Sequence, residues 1–502
     1  MDDVAIVGGG LSGFSIALLL QSRGISTVLL ESHSRLGGCA GFYPRCGFSF
    51  DIGATTLVDF HPEGLGGQFL KEVGIDDVRL ESLPGYKAWL PDREVEVARE
   101  QGLWHAERLV KLGDTPRHRK FWQLLDDIAS AYWAATRRGI KLPIRKLDDL
   151  VDNFRALDWS GLRLARYLTW SVGDALRHHG LDQDKALVGL LSMMIEDTVH
   201  ARIESAPLIN SALGISIRGA GLSRPTGGMR GLWRKLSRRY VDLGGRIKLR
   251  TSVTRIDGSF GDFRLTFAKG SVQASQVVCA VPIGIAQELA PNCAKALDRF
   301  VRRDCAAMGG GLVLCLGVPE EEVSESHEGH RHHQLLQDYQ SPLGNGNNMF
   351  ISVSAADDRL SAPAGFRAVM ISTHCELSDW WGLSKDDYQR RKADTVELLI
   401  RYARRVYPRL ATTPVVCELG TPRSYKHYTN RPYGSVGGAR LNMTNSNQNA
   451  VPYDIGTRGF WLAGDTTWPG LGTVACVLGA THVAKGIEKL TGGWAKRANP
   501  QA

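Results

Sequence analysis

Apolar positions in the first thirty residues fall into blocks separated by glycine. Val4–Val7 is a short, mostly β-branched run suited to a buried parallel strand. Gly8, Gly10 and Gly13 follow directly, and the apolar stretch from Leu11 to about Ser22 is long enough for a helix. Gly24 marks its C-terminal stop, and Thr27–Leu30 returns to an apolar run of strand length. This order of strand, glycine turn, helix and strand predicts a parallel βαβ unit. The same alternation closes the chain. Phe460–Ala463 reads as a buried strand ended by Gly464-Asp465, Pro469–Gly472 as a turn, and Thr473 as the start of an apolar helix carrying small residues. Between these ends, Phe48 and Phe50 alternate with polar neighbours, and 224–257 reads as glycine turn, amphipathic helix and strand.

The spacing of the first unit carries chemistry. Gly8 and Gly10 let the backbone approach a pyrophosphate, Gly13 lets helix pack on strand, and the helix N-terminus faces the anion. Glu31, closing the second strand, can accept hydrogen bonds from a ribose diol, and its charge repels a 2′-phosphate. A GxGxxG alone is weak evidence; with strand, helix, second strand and terminal acid all in place it predicts dinucleotide binding. Just past the acid, Arg35-Leu36-Gly37-Gly38 begins another loop. A nicotinamide enzyme has no evident need for this second glycine turn.

E-x3-R-x-G-G after a GxGxxG unit resembles the extended fingerprint of FAD-dependent oxidoreductases of the amine oxidase and phytoene desaturase kind. The resemblance continues along the chain. "GFSFDIGATTL" (47–57) is similar to the strand that follows the glycine loop in carotenoid desaturases and isomerases. Within 224–257, P-x-GG-M-x-x-L and GG-x-(I/V)-x-L-x-x-x-V are similar to the family's helix start and its return to the FAD domain, and 275–289 resembles its return strand. The segments 351–383 and 420–438 also resemble family patterns, and GD-x-x-x-P-G-x-G at 464–472 looks like the isomerase and desaturase ending. "GGCAGFY" (37–43) sits closer to the isomerases, because a typical desaturase has Arg where this chain has Cys39. Over about 1–60 and 220–490 the chain thus resembles the carotenoid isomerase/phytoene desaturase family of the flavin amine oxidase superfamily.

That resemblance implies an α/β fold, with a Rossmann-type, GR2-like FAD-binding domain assembled from 1–75, 220–290 and 450–495. It places a helical substrate or lid region at 76–219 and a mixed-sheet substrate domain at 291–449. It also implies FAD as cofactor. The first contacts it assigns are Gly8, Gly10, Leu11, Ser12 and Gly13, then Glu31 and Ser32. The loop of Arg35, Gly37 and Gly38 approaches the pyrophosphate and flavin side, and the backbone of Val253 lies near the adenine. Asp465, after Gly464, falls on the ribityl or pyrophosphate part. The helix begun by Gly472, Thr473 and Val474 points its N-terminus at the pyrimidine edge of the flavin, where a positive helix end stabilises negative charge on the reduced ring.

Composition bounds the rest. A chain of 502 residues is too long for one compact core and suggests two or three lobes. Nine cysteines show no CxxC pair, so metal knuckles and a disulfide framework are not expected, and reduced thiols suit a cytoplasmic location. The start lacks a secretory signal, and no apolar run approaches membrane-spanning length. Net charge is +9, a mild basic excess without a nucleic-acid motif. Over 101–180 there are 14 Lys+Arg and 9 Asp+Glu, so 14 − 9 = +5 falls in this tryptophan-bearing segment. Two readings stay open for it: a lid that takes apolar molecules from an anionic bilayer surface, making the enzyme peripheral on the membrane, or a helical domain whose tryptophans are core. The tract "HEGHRHH" (327–333) lies in a polar run and reads as a solvated loop, with no metal site expected. Oligomeric state is left open.

No catalytic triad or paired carboxylate stands out, and a flavin needs none. The expected activity is an FAD-dependent oxidoreductase acting on an apolar polyene, by desaturation or cis–trans isomerisation; saturation of an isolated double bond is a third outcome. The rival is a flavin oxidase of an amine or amino-acid side chain, including one within a peptide. It would want an aromatic pair framing the substrate nitrogen, for which Tyr425, Tyr428, Tyr433 and Trp468 are candidates by position. A non-catalytic FAD scaffold would keep Gly8–Gly13 and Glu31 but wall the flavin off.

Overall fold

The computed structural model describes residues 2–157, 159–216, 221–324 and 329–498. His327 and Glu328 of the histidine tract lie outside the described residues. The strand Asp2–Val7 sits in the middle of a sheet, which explains its unbroken apolar run: Val4, Ala5 and Ile6 are fully buried. Thr27–Leu30 pairs parallel to it on one side and Gly270–Cys279 on the other. Arg246–Lys248 extends the first edge, while Asp262–Phe267 and Val253–Ser259 fold back antiparallel beyond the second. Phe460–Leu462 completes the sheet, parallel to Val277–Cys279. The helix Leu11–Ser22 packs against the C-terminal helix Thr473–Ala498, and Phe14 and Leu18 share a buried cluster with Ala480, Val483, Ala484 and Ile487. Each such side chain contributes about 1.5–3 kcal/mol on burial. This is the expected Rossmann-type α/β unit, closed by the two ends of the chain.

A second sheet of seven strands runs in the order Val416–Gly420, Gly310–Pro319, Phe366–Cys375, Asn348–Val353, His332–Leu336, Gly85–Trp89 and Glu94–Ala98. Its only parallel pairing, among the described residues, joins His332–Leu336 to Gly85–Trp89. The segment 76–219, read from sequence as helical, therefore opens with two strands of this sheet. Tyr86 and Ala88 on one and Val95 and Val97 on the other alternate into a core shared with the helices that follow. In those helices most tryptophans are packing residues. Trp122 is buried, Trp104 meets it edge-on at 5.7 Å, and Arg108 lies 4.8 Å over its ring while pairing with Asp126. Trp159 is the exception, at 82% exposure.

The histidine tract corrects an expectation. His330, His332 and His333 are buried, the last two within the strand His332–Leu336. His333 accepts from Trp89 Nε1 at 3.2 Å and meets the Tyr407 hydroxyl at 3.0 Å. Strands on both edges enclose this segment: Asn348–Val353, the next strand along the chain, on one side and the remote Gly85–Trp89 on the other.

Three motifs that are remote in sequence meet at one helix start. Asp51, ending the strand Phe48–Asp51, is paired with Arg224 at 2.6 Å, and both are almost inaccessible. It also accepts the Met229 N–H at 2.8 Å, in the first turn of the helix Gly228–Asp242. Gly228 has φ +57°, and a Cβ there would lie 2.5 Å from the Asp51 carboxylate. The preceding Gly227 N–H reaches both Asp358 oxygens at 3.0 Å. Removing one partner of such a buried pair costs about 3–5 kcal/mol.

Candidate functional site

A cavity of about 450 Å³ opens at the carboxyl ends of the parallel strands, where α/β sheets receive ligands, and reaches to the second sheet. Its walls include Gly8, Gly10, Leu11, Ser12 and Gly13 from the first turn, then Glu31 and Ser32. Gly37, Gly38, Val253, Gly464, Asp465, Gly472 and Thr473 line it as well. The glycines do two different jobs. At Gly8 (φ +105°) a Cβ would sit 2.6 Å from the Ala280 carbonyl oxygen, and at Gly13 it would collide with the Gly8 carbonyl, so both are demanded by packing. At Gly10, Gly464 and Gly472 a Cβ would meet nothing within 4 Å. Their bare backbone leaves the volume that a ligand would fill.

Glu31 is held at one end of this cradle. One carboxylate oxygen accepts the Gly9 N–H at 2.7 Å, and the other accepts the His33 N–H at 2.7 Å. The oxygen that takes His33 N–H also accepts from Ser32 Oγ at 3.2 Å, so the one facing Gly9 keeps a lone pair for a further donor. The Thr251 N–H donates to the Glu31 carbonyl at 2.8 Å, which brings the start of the Val253 strand to the same wall. Farther along, Asp465 is ion-paired with buried Arg431 at 2.9 Å, whose remaining donors reach the Ser435 carbonyl at 2.7 Å and the Gly437 carbonyl at 2.6 Å. Thr473 Oγ1 accepts the Val58 N–H at 3.2 Å, anchoring the start of the C-terminal helix. An acid at one end, a bare glycine floor and a second acid beside a helix start fit an elongated flavin dinucleotide. Gly8–Gly13 would hold its pyrophosphate, Glu31 its ribose and Asp465 its ribityl chain.

Some predicted residues sit elsewhere. Arg35 is exposed and, with Tyr428, lines a neighbouring groove of about 940 Å³; Glu31, Gly38 and Tyr425 border both spaces. Val474 packs on the cluster of Val58, Leu83 and Leu222 and does not line the cavity. Trp468 is buried beside His482, ring centroids 5.5 Å apart, in a separate apolar cluster. Tyr433 is exposed. Tyr425 does line the cavity, but its hydroxyl donates to the Ile52 carbonyl. Of the four candidates, Tyr425 and Tyr428 share the neighbouring groove, and neither Trp468 nor Tyr433 joins them.

The structure adds residues that sequence reasoning missed. Asp197 and His200, from the end of the helix Lys185–Val199, and His374, from the strand Phe366–Cys375, face the cavity together. His374 Nε2 lies 3.4 Å from an Asp197 oxygen, and the two imidazoles meet edge to face at 4.6 Å. Glu196 sits beside them and accepts from Asn348 Nδ2 at 2.6 Å. Burial pushes the Glu196 carboxyl up. Burial acts to lower His374, but the Asp197 hydrogen bond and the charges of Glu196 and Asp197 outweigh it and raise its pKa. Burial, then the charges of His374, Arg440 and Arg431, hold His200 far below the ordinary histidine range. Nothing in the sequence pattern pointed to this cluster, because His374 comes from a distant strand.

The chain matches the family of flavin containing amine oxidoreductases over residues 11–487 and belongs to it. It is an FAD-dependent oxidoreductase, and its sequence relatives are carotenoid enzymes. It is 26% identical to the chloroplastic prolycopene isomerase of Daucus carota, over 94% of this chain and 78% of that one. With a 4,4'-diapophytoene desaturase of Staphylococcus aureus it shares 20% identity over 93% and 95% of the two chains. Among solved structures, cyclohexylamine oxidase from Brevibacterium oxydans has the same fold, with a TM-score of 0.62 at 16% identity, covering 97% of this chain and 99% of that one.

Proposed function

We propose that this enzyme acts on an apolar polyene, desaturating it or isomerising a double bond, with FAD held in the glycine-floored cavity. One observation carries the reading: the relationship to a prolycopene isomerase runs over 94% of the chain, whereas the kinship with a solved amine oxidase lies in fold at 16% identity. The test is to offer the anaerobically reduced and the oxidised holoenzyme a panel of cis-polyenes, phytoene and amines. A shift in polyene absorption with no amine-dependent peroxide in air is expected. Peroxide from an amine, with every polyene spectrum unchanged, contradicts the reading.

The enzyme is further proposed to work from the cytoplasm on a membrane surface. In the helix Leu147–Ala156, Leu147, Leu150, Val151 and Phe154 form an i, i+3, i+4, i+7 stripe that is exposed, with Trp159 just beyond. Arg145, Lys146, Arg155 and Arg163 flank it. No helix among the described residues is long and apolar enough to cross a membrane, so a stripe of this kind suits lying in the interface. Co-sedimentation with anionic lipid vesicles is expected for the native chain and not for a Leu150→Glu, Phe154→Glu double variant. Equal recovery of both in the supernatant contradicts it.

A further inference from the structure

We propose that His200 exchanges a proton with the substrate bound in the cavity, with His374 and Asp197 behind it as positioning residues. The inference rests on the polyene reading and deepens it: this chain removes hydrogen across a carbon–carbon bond, and is not confined to rotating one. Removing hydrogen from a CH–CH unit breaks two C–H bonds. One hydrogen would leave as hydride with its electron pair, and a bound oxidised flavin would supply the acceptor. The other leaves as a proton, and its bonding pair becomes the new π bond. That proton needs a base. Rotation about an existing double bond leaves every C–H bond in place and has no use for one.

The local construction supports the assignment. His200 closes the helix Lys185–Val199 in the left-handed conformation, φ 51°, and its Nδ1 is buried with no hydrogen-bond partner. Its ring packs on Gly437, where a Cβ would collide with it. The Gly437 carbonyl is held by Arg431, which also holds Asp465, so one short loop separates the imidazole from the acid that fits the ribityl chain. Charged and titratable neighbours come from three sides: Glu196 and Asp197 on its own helix, His374 on the strand, and Arg431 and Arg440 on the loop. A neutral imidazole keeps one ring nitrogen free to accept a proton, and the unpartnered Nδ1 shows that no protein donor occupies it. Behind it, His374 and Asp197 fix the ring that meets His200.

The test uses the full-length, FAD-loaded enzyme and its His200→Asn, His374→Asn and Asp197→Asn variants. Asn tolerates the left-handed conformation, so His200→Asn keeps the helix end while removing the titrating ring. Flavin content reports folding for each variant. Without any polyene, histidine ring NMR should show His200 neutral through mildly acidic pH and His374 titrating above the ordinary range. His374 should return toward that range in Asp197→Asn, and His200 should shift in His374→Asn. Two ordinary, mutually independent titrations overturn the proposal. In single turnovers with phytoene, the native product should be lighter by two hydrogens, and His200→Asn should lower the rate about 100-fold or more with polyene affinity retained. A native product of unchanged mass leaves the polyene reading standing and overturns the proton role, as does full activity in His200→Asn. If no polyene is converted, the polyene reading falls and the NMR titrations alone decide the pair.

Discussion

The cofactor end and the substrate end of this molecule recognise their ligands by opposite means. At the first, backbone does the work: Gly10, Gly464 and Gly472 leave open volume, and acids stand at either end. At the second, side chains do it, with His200, Asp197 and His374 brought together from a helix end and a strand far away in sequence. A dinucleotide presents the same phosphates and riboses to every enzyme that binds it, so backbone spacing with an acid at either end suffices. A substrate presents chemistry that only particular side chains can answer.

The largest effect expected from probing this contrast lies where the two halves are joined. Asp51→Ala orphans buried Arg224 and uncaps the helix Gly228–Asp242, so it should lower unfolding stability by about 3–5 kcal/mol. Denaturant titration of the FAD-loaded protein checks it, and a loss below 1 kcal/mol would mean the joint is not held there. Next come the paired glycine tests. Gly13→Ala forces a methyl onto the Gly8 carbonyl and should cost about 1–3 kcal/mol of stability. By contrast, Gly10→Ala has room in the bare fold and should keep stability while weakening FAD binding at least 10-fold, which equilibrium dialysis measures. Glu31→Ala removes a ribose acceptor and should weaken FAD by roughly 10–100-fold, equivalent to about 1.4–3 kcal/mol.

How much of this was readable beforehand divides along the same line. The glycines and acids of the cradle fall in contiguous runs whose spacing encodes their geometry, and the strands and helix around Gly8–Gly13 formed as their periodicity indicated. Val474 falls outside the cavity because helix phase, fixed only by packing, turns it toward Val58 and Leu222. Trp468 and Tyr433 were candidates by proximity in sequence, yet one packs in a core and the other is exposed. The histidine tract read as a loop because its strand partners come from residues 85–89 and 348–353. His200 and His374 gave no signal at all, since neither is meaningful without the other.

The smallest predicted effect concerns acid stability away from both sites. Burial, then the charges of Lys141 and Lys485, lowers His482 to about 3, and its ring meets the Ile140 carbonyl at 3.1 Å. The unfolded chain takes up a proton near pH 6.5 that the native state refuses, so stability should fall as pH drops through the window from 6.5 toward 3. By pH 5.5 the contribution is about 1.4 kcal/mol, and His482→Gln should remove that slope in pH-dependent unfolding.

The most direct measurement of the division of labour is the FAD dissociation constant of Gly10→Ala and His200→Asn, side by side with the native chain. The account predicts that Gly10→Ala loses the flavin while remaining folded, and that His200→Asn stays yellow with native affinity. Loss of FAD from His200→Asn, or full retention in Gly10→Ala, would contradict it.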